Sequence, residues 1–312
     1  VGSEMCIRDS YKDVDDIVVE GVETPVLLGD PFIMLHDGTY YAYGTHADDG
    51  IEVYTSDDLK TWKYKGMALQ KKDVWADRWF WAPEVYEVNG KFYMYYSADE
   101  HICVATADSP AGPFTQSKKE PMIADEKCID NSLFIDDDGT PYLYFVRFTD
   151  GNVIWVAEMN DDLTGIKQET LTECIKAEEP WELSQDKPAK VAEGPSVLKK
   201  NGIYYLIYSA NHFESKNYGV GYATSNSPMG PWKKYEGNPI LQHADGLMGT
   251  GHGAPFCCKD GSWKYIFHAH WSSTKVQPRT SYIKDFAISD RGVVSIGGDI
   301  IRPQVVSNAS EK

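Results

Sequence analysis

The sequence predicts an all-β protein, a five-bladed β-propeller built as a single domain. A turn dipeptide, Asp-Gly or Asn-Gly, precedes a strand rich in aromatic residues at five places along the chain. Successive dipeptides lie 52, 49, 63 and 59 residues apart, a spacing that suits four-stranded blades. Five such units account for nearly all of the 312 residues, and no linker or low-complexity stretch is left for a second domain.

The first ten residues, VGSEMCIRDS, differ from the repeats that follow them. They have no hydrophobic periodicity and read like the translation of an adapter sequence joined to a truncated gene. We therefore interpret residues 1–10 as non-native and residues 11–312 as the catalytic propeller. The cellular location stays open, with secretion, a periplasmic location and a cytoplasmic one all compatible with the sequence.

Each repeat begins with a hairpin. The dipeptide supplies the positive φ angles of a tight turn, and the strand after it alternates in side-chain character as a half-buried strand does. The five copies are Asp37-Gly38 before TYYAYGT, Asn89-Gly90 before KFYMYYSA, Asp138-Gly139 before TPYLYFVR, Asn201-Gly202 before IYYLIYSA and Asp260-Gly261 before SWKYIFHAH. A third strand follows in four copies, GIEVYTSDD, HICVATADS, NVIWVAEMN and YGVGYATSN, and we expect 161–192 to form a long loop.

Composition and charge exclude some classes of partner. The formal net charge is −17, which disfavours binding to nucleic acid and to anionic membrane surfaces. No apolar run approaches the roughly 20 residues needed to cross a bilayer. The six cysteines lack a metal-binding C-x-x-C spacing, and we expect buried free thiols. Aromatic residues make up 13% of the chain, which suits sugar stacking and a β-rich core equally.

The strand before each turn is predicted to be the innermost strand of its blade. These strands read GDPFIML, WAPEVYEV, CIDNSLFID, EGPSVLK and GHGAPFCC. Each has one polar residue near its start: Asp30, Glu84, Asp130, Glu193 and His252. Their similar distances from the turns predict that all five meet at one end of the central channel. Because grouping buried carboxylates is costly, the set indicates a functional site in which pKa values are separated.

The motifs GDP, WAPE, IDNSLF, AEGPSV and GTGHG, in this order, resemble glycoside hydrolase family 43 over about residues 25–290. That family acts largely on arabinan, xylan and arabinoxylan. The resemblance implies that Asp30 is the general base, Glu193 the general acid and Asp130 the carboxylate that orients the acid and tunes its pKa. Inverting hydrolysis needs such a pair, one carboxyl protonated and the other ionised.

The resemblance also implies further site residues. His252 is similar to a family histidine near an ion on the propeller axis, so we expect calcium or a similar ion there and no organic cofactor. Arg279 matches an arginine that approaches the sugar hydroxyls. Trp81 is a candidate for stacking on the pentose, with packing between blades as the alternative. Glu84 is expected to form hydrogen bonds within the substrate pocket.

The predicted function is an inverting glycoside hydrolase that releases L-arabinofuranose or D-xylose from oligosaccharides or polysaccharides. The segments 161–192 and 75–81 are expected to close the channel, which favours exo action by an α-L-arabinofuranosidase or β-xylosidase. An endo-arabinanase remains an alternative. A non-catalytic carbohydrate-binding propeller is the alternative from another class, and it predicts the loss of at least one of the three carboxylates. Oligomeric state is not predicted.

Overall fold

The computed structural model describes residues 23–306, so the interpretation of residues 1–10 lies outside the described part of the chain. The described residues form β-strands and three short 3₁₀ helices. The strands of the first two blades are β1 Thr24–Pro25, β2 Gly29–His36, β3 Thr39–Thr45, β4 Gly50–Ser56, β5 Thr61–Gln70, β6 Trp81–Val88, β7 Lys91–Ala98 and β8 His101–Ala107. The 3₁₀ helices are Lys71–Asp73, Gln168–Thr170 and Ala244–Gly246.

Three further blades follow the same order. The strands of the third and fourth blades are β9 Cys128–Ile135, β10 Pro141–Arg147, β11 Val153–Glu158, β12 Thr172–Ile175, β13 Ala192–Lys200, β14 Ile203–Ala210, β15 Gly219–Ser225 and β16 Lys233–Lys234. The last strands are β17 Gly251–Cys257, β18 Trp263–Ala269, β19 Thr280–Ile288, β20 Val294–Ile301 and β21 Gln304–Val305. Within each blade, strands that follow one another in the chain pair in antiparallel fashion.

The first strand of every blade lies on the propeller axis. Contacts run from β2 to β6, β9, β13, β17 and back to β2, which closes a ring of five strands. Five hydrophobic clusters fill the spaces between neighbouring blades. The predicted five-bladed propeller is therefore confirmed, and the inner strands are those that the sequence predicted.

The first blade joins the two ends of the described chain. β21 pairs in parallel with β5, and β1 pairs with β21 in antiparallel fashion, so this blade's sheet has six strands. The amide of Val26 donates to the carbonyl of Pro303 at 3.1 Å, and the amide of Ser281 donates to the carbonyl of Val26 at 3.0 Å. The segment before β2 thus connects the first blade to the fifth.

The turn dipeptides lie where the sequence predicts, although their geometry is not uniform. Both residues have positive φ in Asp37-Gly38, Asn89-Gly90 and Asn201-Gly202. In the other two turns only Gly139 and Gly261 do. These two turns contain one more residue than the others. The amide of each glycine donates to the carbonyl of the residue three positions before it in the chain, at 2.9 Å. Glycine is needed in all five turns because it adopts positive φ without steric cost.

Segment 161–192 is not the loop over the channel that the sequence suggested. It contains the fourth strand of the third blade, β12, and a loop packed beside the fourth blade. Glu182 fixes this loop: its fully buried carboxylate accepts hydrogen bonds from Tyr208 Oη and Lys234 Nζ, both at 2.6 Å. These partners satisfy the buried carboxylate and fix the segment beside the fourth blade, and none of its residues lines the cavity that contains Asp30, Asp130 and Glu193.

The cysteines of residues 23–306 are free thiols, as expected, but their burial varies. Cys103, Cys128 and Cys258 are buried, Cys174 is partly buried and Cys257 is exposed. The expectation of buried thiols is therefore wrong for Cys257, whose side chain projects from the opposite face of the chain to that of Cys258. Within the described residues, no helix is long and apolar enough to cross a membrane.

Candidate active site

Each of the five inner strands has a β-bulge near its start, where pairing with the second strand of the blade shifts register. One residue of each bulge has a positive φ angle, which Asp and Gly adopt more readily than branched residues do. These residues are Asp30 (φ 47°), Ala82 (46°), Asp130 (57°), Gly194 (59°) and His252 (42°). The bulges define equivalent positions of the five blades around the axis.

Relative to the bulges, the polar residues predicted for the inner strands are not all equivalent. Asp30, Asp130 and His252 occupy the bulge position, and Glu193 directly precedes the bulge of β13. Glu84 follows the bulge of β6 by two residues and therefore lies further along the channel. In β6 the position of Glu193 is taken by Trp81.

A cavity of about 350 Å³ opens at the end of the channel where the inner strands begin. Asp30, Asp130, Glu193 and His252 all line it, so the structure brings the three predicted carboxylates together in one place. Its walls come from the loop after β3, the segment before β6, and the loops before β15 and β19. The wall includes Thr45, His46, Arg78, Trp79, Trp81, Phe213, Gln277 and Arg279.

Glu84 lies outside this cavity, contrary to the substrate-binding position expected from the sequence. It lines a separate cavity of about 10 Å³ on the axis, to which all five inner strands contribute. Tyr86 Oη donates a hydrogen bond to Glu84 Oε2 at 2.6 Å. Burial raises the pKa of Glu84 to about 8 despite that hydrogen bond, so the group is largely protonated at neutral pH.

Asp30 is surrounded by cationic and hydrogen-bonding groups. Its Oδ1 lies 2.9 Å from Arg279 Nη1 and 3.1 Å from His252 Nδ1, and Thr45 Oγ1 donates to Oδ2 at 2.7 Å. Burial opposes ionisation, but the charges of Arg279 and His252 outweigh it and hold the pKa of Asp30 well below its usual value. Asp30 is therefore ionised at neutral pH.

Arg279, which was expected to bind sugar hydroxyls, lines the cavity and its guanidinium also pairs with Asp30. Gly29 makes this approach possible. A Cβ atom at position 29 would lie 2.3 Å from the guanidinium carbon of Arg279, closer than non-bonded atoms approach. The glycine of the GDP motif therefore leaves space for the cation that keeps Asp30 ionised.

Glu193 has the opposite electrostatic environment. Its Oε1 accepts a hydrogen bond from Tyr218 Oη at 2.8 Å, and its Oε2 accepts one from Asn152 Nδ2 at 3.0 Å. Burial and the negative charge of Asp130 raise the pKa of Glu193 to about 7. Two buried carboxyls of one cavity therefore differ in protonation near neutral pH, the arrangement that acid–base catalysis requires.

Asp130 lies between these two environments. Its Oδ2 accepts a hydrogen bond from the amide of Gly194 at 3.0 Å and lies 3.8 Å from His252 Nδ1. Burial raises the pKa of Asp130, His252 counteracts the rise, and the like charge of Asp30 adds to it. Asp130 is thus linked to Glu193 through the backbone of the next residue, Gly194.

Comparison with known proteins identifies the family. The model for glycosyl hydrolases family 43 matches residues 23–294. The chain belongs to glycoside hydrolase family 43. Among solved structures, an endo-1,4-β-xylanase from Bacteroides thetaiotaomicron VPI-5482 is 63% identical with a TM-score of 0.89, and the match covers 92% of this chain and 100% of that one.

Curated relatives in the family have several specificities. A β-D-galactofuranosidase, xynD, from Aspergillus niger is 28% identical over 272 residues, which cover 79% of this chain and 75% of the relative. An extracellular exo-α-(1→5)-L-arabinofuranosidase, ArbA, from Cellvibrio japonicus is 26% identical over 276 residues, covering 77% and 78%. The resemblance stated from the motifs is confirmed, and this family 43 protein is a glycoside hydrolase.

His252 contributes a positive charge to the family 43 site. Burial opposes protonation, but Asp30 and Asp130 outweigh it and raise the pKa of His252 to about 10. Within residues 23–306, no three His, Cys, Asp or Glu side chains form a metal-binding group. The small axial cavity is nevertheless lined by His252, Glu84 and Asn131, whose buried Oδ1 has no hydrogen-bond partner within residues 23–306. A cation could be held there only after His252 and Glu84 lose their protons, and the space of about 10 Å³ admits about one water-sized particle rather than a hydrated ion.

The aromatic wall of the cavity is built from one segment, 78–81. The indole rings of Trp79 and Trp81 stack with centroids 5.9 Å apart, and the guanidinium of Arg78 covers Trp79 at 3.8 Å. Trp81 lines the cavity, as expected for a residue that stacks on sugar. Trp79, which the sequence did not distinguish from packing residues, lines it too.

Several partners of the carboxylates were not predicted from the sequence. Thr45, Asn152 and Tyr218 are polar residues in ordinary strand or loop contexts, and each reaches a carboxylate of another strand. Phe213 forms part of the wall from the loop between β14 and β15. The aromatic-rich string RWFWAPE was the one sequence signal that could have identified Trp79.

Proposed function

We propose that this family 43 enzyme is an inverting, exo-acting glycosidase that releases a pentose, L-arabinofuranose or D-xylose, from arabinan- or xylan-type chains. One observation carries the proposal: Asp30 and Glu193 line the same cavity, and their environments move their pKa values in opposite directions. An ionised carboxylate and a protonated carboxyl are the two groups that inverting hydrolysis needs.

In the proposed mechanism Asp30 removes a proton from a water molecule as the water oxygen attacks the anomeric carbon. Glu193 gives its proton to the glycosidic oxygen as the bond from that oxygen to the anomeric carbon breaks. The sugar leaves with inverted configuration, Asp30 protonated and Glu193 ionised, and exchange with solvent restores both groups. Arg279 and His252 keep Asp30 ionised before the reaction.

Asp130 is proposed to act on the acid rather than on the substrate. Its charge raises the pKa of Glu193, which keeps the acid protonated near neutral pH. The position of the Asp130 carboxylate beside the amide of Gly194 also restrains the backbone that carries Glu193. Both effects support the orienting and tuning role that the motif implied.

The dimensions of the cavity support exo action. Its volume of about 350 Å³ lies near the lower end of the roughly 300–1,000 Å³ typical of small-molecule sites. Such a cavity suits one or two sugar rings better than a polymer lying across the face. The name of ArbA, an exo-acting arabinofuranosidase, agrees with this proposal.

Endo action is the second candidate, and it is favoured by the 63% identity to the Bacteroides thetaiotaomicron protein, which is described as an endo-1,4-β-xylanase. The two modes differ in their first products. An exo enzyme releases monosaccharide from the start and hardly changes polymer viscosity, whereas an endo enzyme lowers viscosity before monosaccharide accumulates.

The test combines substrate choice with product analysis. The purified protein is incubated with nitrophenyl arabinofuranoside, nitrophenyl xyloside, linear arabinan, xylan and arabinoxylan. We expect early monosaccharide, constant viscosity and, by proton NMR before mutarotation, an inverted anomer. Early oligosaccharides with falling viscosity would replace the exo proposal by the endo one, and a retained anomer would contradict the roles of Asp30 and Glu193.

We also propose that a divalent cation such as calcium binds in the axial cavity near His252 and displaces the protons of His252 and Glu84, with Asn131 as a further donor. Bound there, the cation would add positive charge beneath the carboxylates. Removal of divalent ions with a chelator should lower the melting temperature, and His252→Ala should reduce that difference. Identical melting curves in chelator and in calcium would contradict the proposal.

A further inference from the structure

The amides of the five bulge residues follow a rule that links neighbouring blades. In four cases the amide donates to a side chain on the second strand of the preceding blade. The four hydrogen bonds are Ala82 N to Thr45 Oγ1 (2.9 Å), Asp130 N to Ser97 Oγ (3.2 Å), His252 N to Ser209 Oγ (2.8 Å) and Asp30 N to His268 Nδ1 (2.9 Å). The last of these connects the fifth blade to the first.

The four acceptors occupy one equivalent position. Each is paired, across its own blade, with the residue that directly precedes the bulge. The pairs are Thr45 with Gly29, Ser97 with Trp81, Ser209 with Glu193 and His268 with Gly251. The common register shows that one structural position supplies the acceptor in four blades.

The third blade is the exception. The equivalent position there, paired with Ile129, is occupied by Val146, whose side chain has no hydrogen-bond acceptor and is fully buried. The amide that this position would serve belongs to Gly194. A buried amide without a partner is costly, and the amide of Gly194 donates instead to Asp130 Oδ2 at 3.0 Å.

We propose that Val146 is a positioning residue: because it leaves the amide of Gly194 without an acceptor, it directs that amide to the carboxylate of Asp130 and so fixes Asp130 beside Glu193. The inference rests on the proposed function, in which Asp130 tunes Glu193. This arrangement also requires glycine at position 194, since its φ is +59° and a Cβ atom there would lie 2.9 Å from the His252 ring.

The first blade shows what an acceptor at this position does. Thr45 accepts from the amide of Ala82 and donates to Asp30 Oδ2, so a hydroxyl stands between the amide and the carboxylate. Asp30 and Asp130 occupy equivalent bulges, yet one is held through a hydroxyl and the other directly by an amide. The difference follows from Thr45 in one blade and Val146 in the other.

The test variant is Val146→Thr, which keeps the side-chain shape and adds the hydroxyl of the first blade. We expect the amide of Gly194 to donate to the new hydroxyl and Asp130 to lose its direct contact. Exchange of one hydrogen bond at a charged group should lower kcat on a natural linkage roughly 10-fold or more, with little change in KM. Dinitrophenyl glycosides should be affected less, because their leaving group needs no proton from Glu193.

Val146→Ala is the matched control, since it removes packing atoms without adding an acceptor. It should lower the melting temperature by a few degrees and leave the ratio of the two substrates' rates unchanged. If both variants changed that ratio equally, Val146 would act only through packing and the proposal would be wrong. Wild-type kinetics for Val146→Thr would also overturn the proposal if Asp130→Asn does change the ratio of rates.

A crystal structure of Val146→Thr separates this inference from the proposed function. If the amide of Gly194 still donates to Asp130, the inference is wrong whatever the kinetics show. A second outcome is that the amide moves to the hydroxyl while kcat stays unchanged, and that Asp130→Asn leaves the ratio of rates on the two substrates unchanged. In that case the role assigned to Asp130 in tuning Glu193 is wrong, and the effect of Val146 on the amide of Gly194 still holds.

Discussion

At the scale of single residues, the site depends on giving different environments to chemically similar groups. Burial by itself disfavours the charged forms of Asp30, Asp130 and Glu193. Arg279 and His252 reverse that effect at Asp30, while Glu193 is left beside the negative Asp130 with neutral hydrogen-bond donors. The direction of each pKa shift therefore follows from which residues contact the carboxyl, and two predictions follow from those contacts.

The first prediction distinguishes acid from base by the leaving group. Glu193→Gln should nearly abolish cleavage of natural linkages, whose alkoxide leaves only when protonated, and should affect dinitrophenyl glycosides much less. Asp30→Asn should impair both substrates, because water must be activated whatever group leaves. We expect losses of about 10²–10⁴-fold or larger, measured as kcat for each substrate. The reversed pattern would contradict the assignment.

The second prediction concerns pH. With the pKa of Glu193 near 7, the acid is protonated below that pH, so activity should fall as pH rises through about 7. Tyr218 Oη stabilises the ionised form of Glu193 by donating a hydrogen bond. Tyr218→Phe should therefore raise this pKa and move the alkaline limb of the kcat/KM profile to higher pH. A limb that stays in place or moves to lower pH would show that this contact does not tune the acid.

At the scale of elements, the five β-bulges and one irregular segment shape the cavity. The bulges turn Asp30, Asp130 and His252 toward the axis, whereas the segment 78–81 carries the aromatic wall. Trp79 has a positive φ of 57°, and Arg78 Nε binds Asp99 Oδ1 at 3.0 Å. The left-handed backbone conformation of Trp79 and the Arg78–Asp99 ion pair thus hold the stacked side chains of this segment beside the cavity.

The third prediction tests that wall. Trp79→Ala should raise KM for an oligosaccharide roughly 2- to 10-fold, as expected from loss of one aromatic contact, and should change kcat little. Trp271→Ala is the control, since this tryptophan is 48% exposed and does not line the cavity, and its kinetics should match the wild type. Unchanged KM in Trp79→Ala would exclude a contact between Trp79 and substrate.

At the scale of the whole molecule, the carboxylates meet because the ring of blades closes. Asp30 belongs to the first blade, and its cationic partners His252 and Arg279 belong to the fifth blade and its loop. The boundary between these blades is held by the segment around Val26 and by a hydrophobic cluster shared by both blades. The contacts that keep Asp30 ionised therefore cross the same boundary, between the fifth and first blades, at which the ring closes.

The fourth prediction tests this boundary. Val26 is 1% exposed and belongs to the shared cluster, so Val26→Ala should lower the free energy of unfolding by about 1–3 kcal/mol. Val293→Ala, at a valine that is 39% exposed, should change stability by no more than about 0.5 kcal/mol. Chemical denaturation measures both. Equal stability of the two variants would show that the boundary does not depend on Val26.

The architecture and the principal carboxylates can be predicted from the amino-acid sequence alone. Turn dipeptides and alternating strands are local patterns, and five hairpin repeats at this spacing favour blades arranged around an axis. Asp30, Asp130 and Glu193 were found because each lies in a short motif on a predicted inner strand. Their meeting in one cavity then follows from the repeat.

The groups that contact those carboxylates could not be predicted without the folded structure. Glu84 lies outside the cavity because it is two residues past the bulge of β6, where Ala82 occupies the position of Asp30 and Trp81 that of Glu193. Arg279 reaches Asp30 across 249 positions of the chain. Contacts over such distances depend on closure of the whole ring, and therefore the protonation of the acid and the base is a property of the folded molecule.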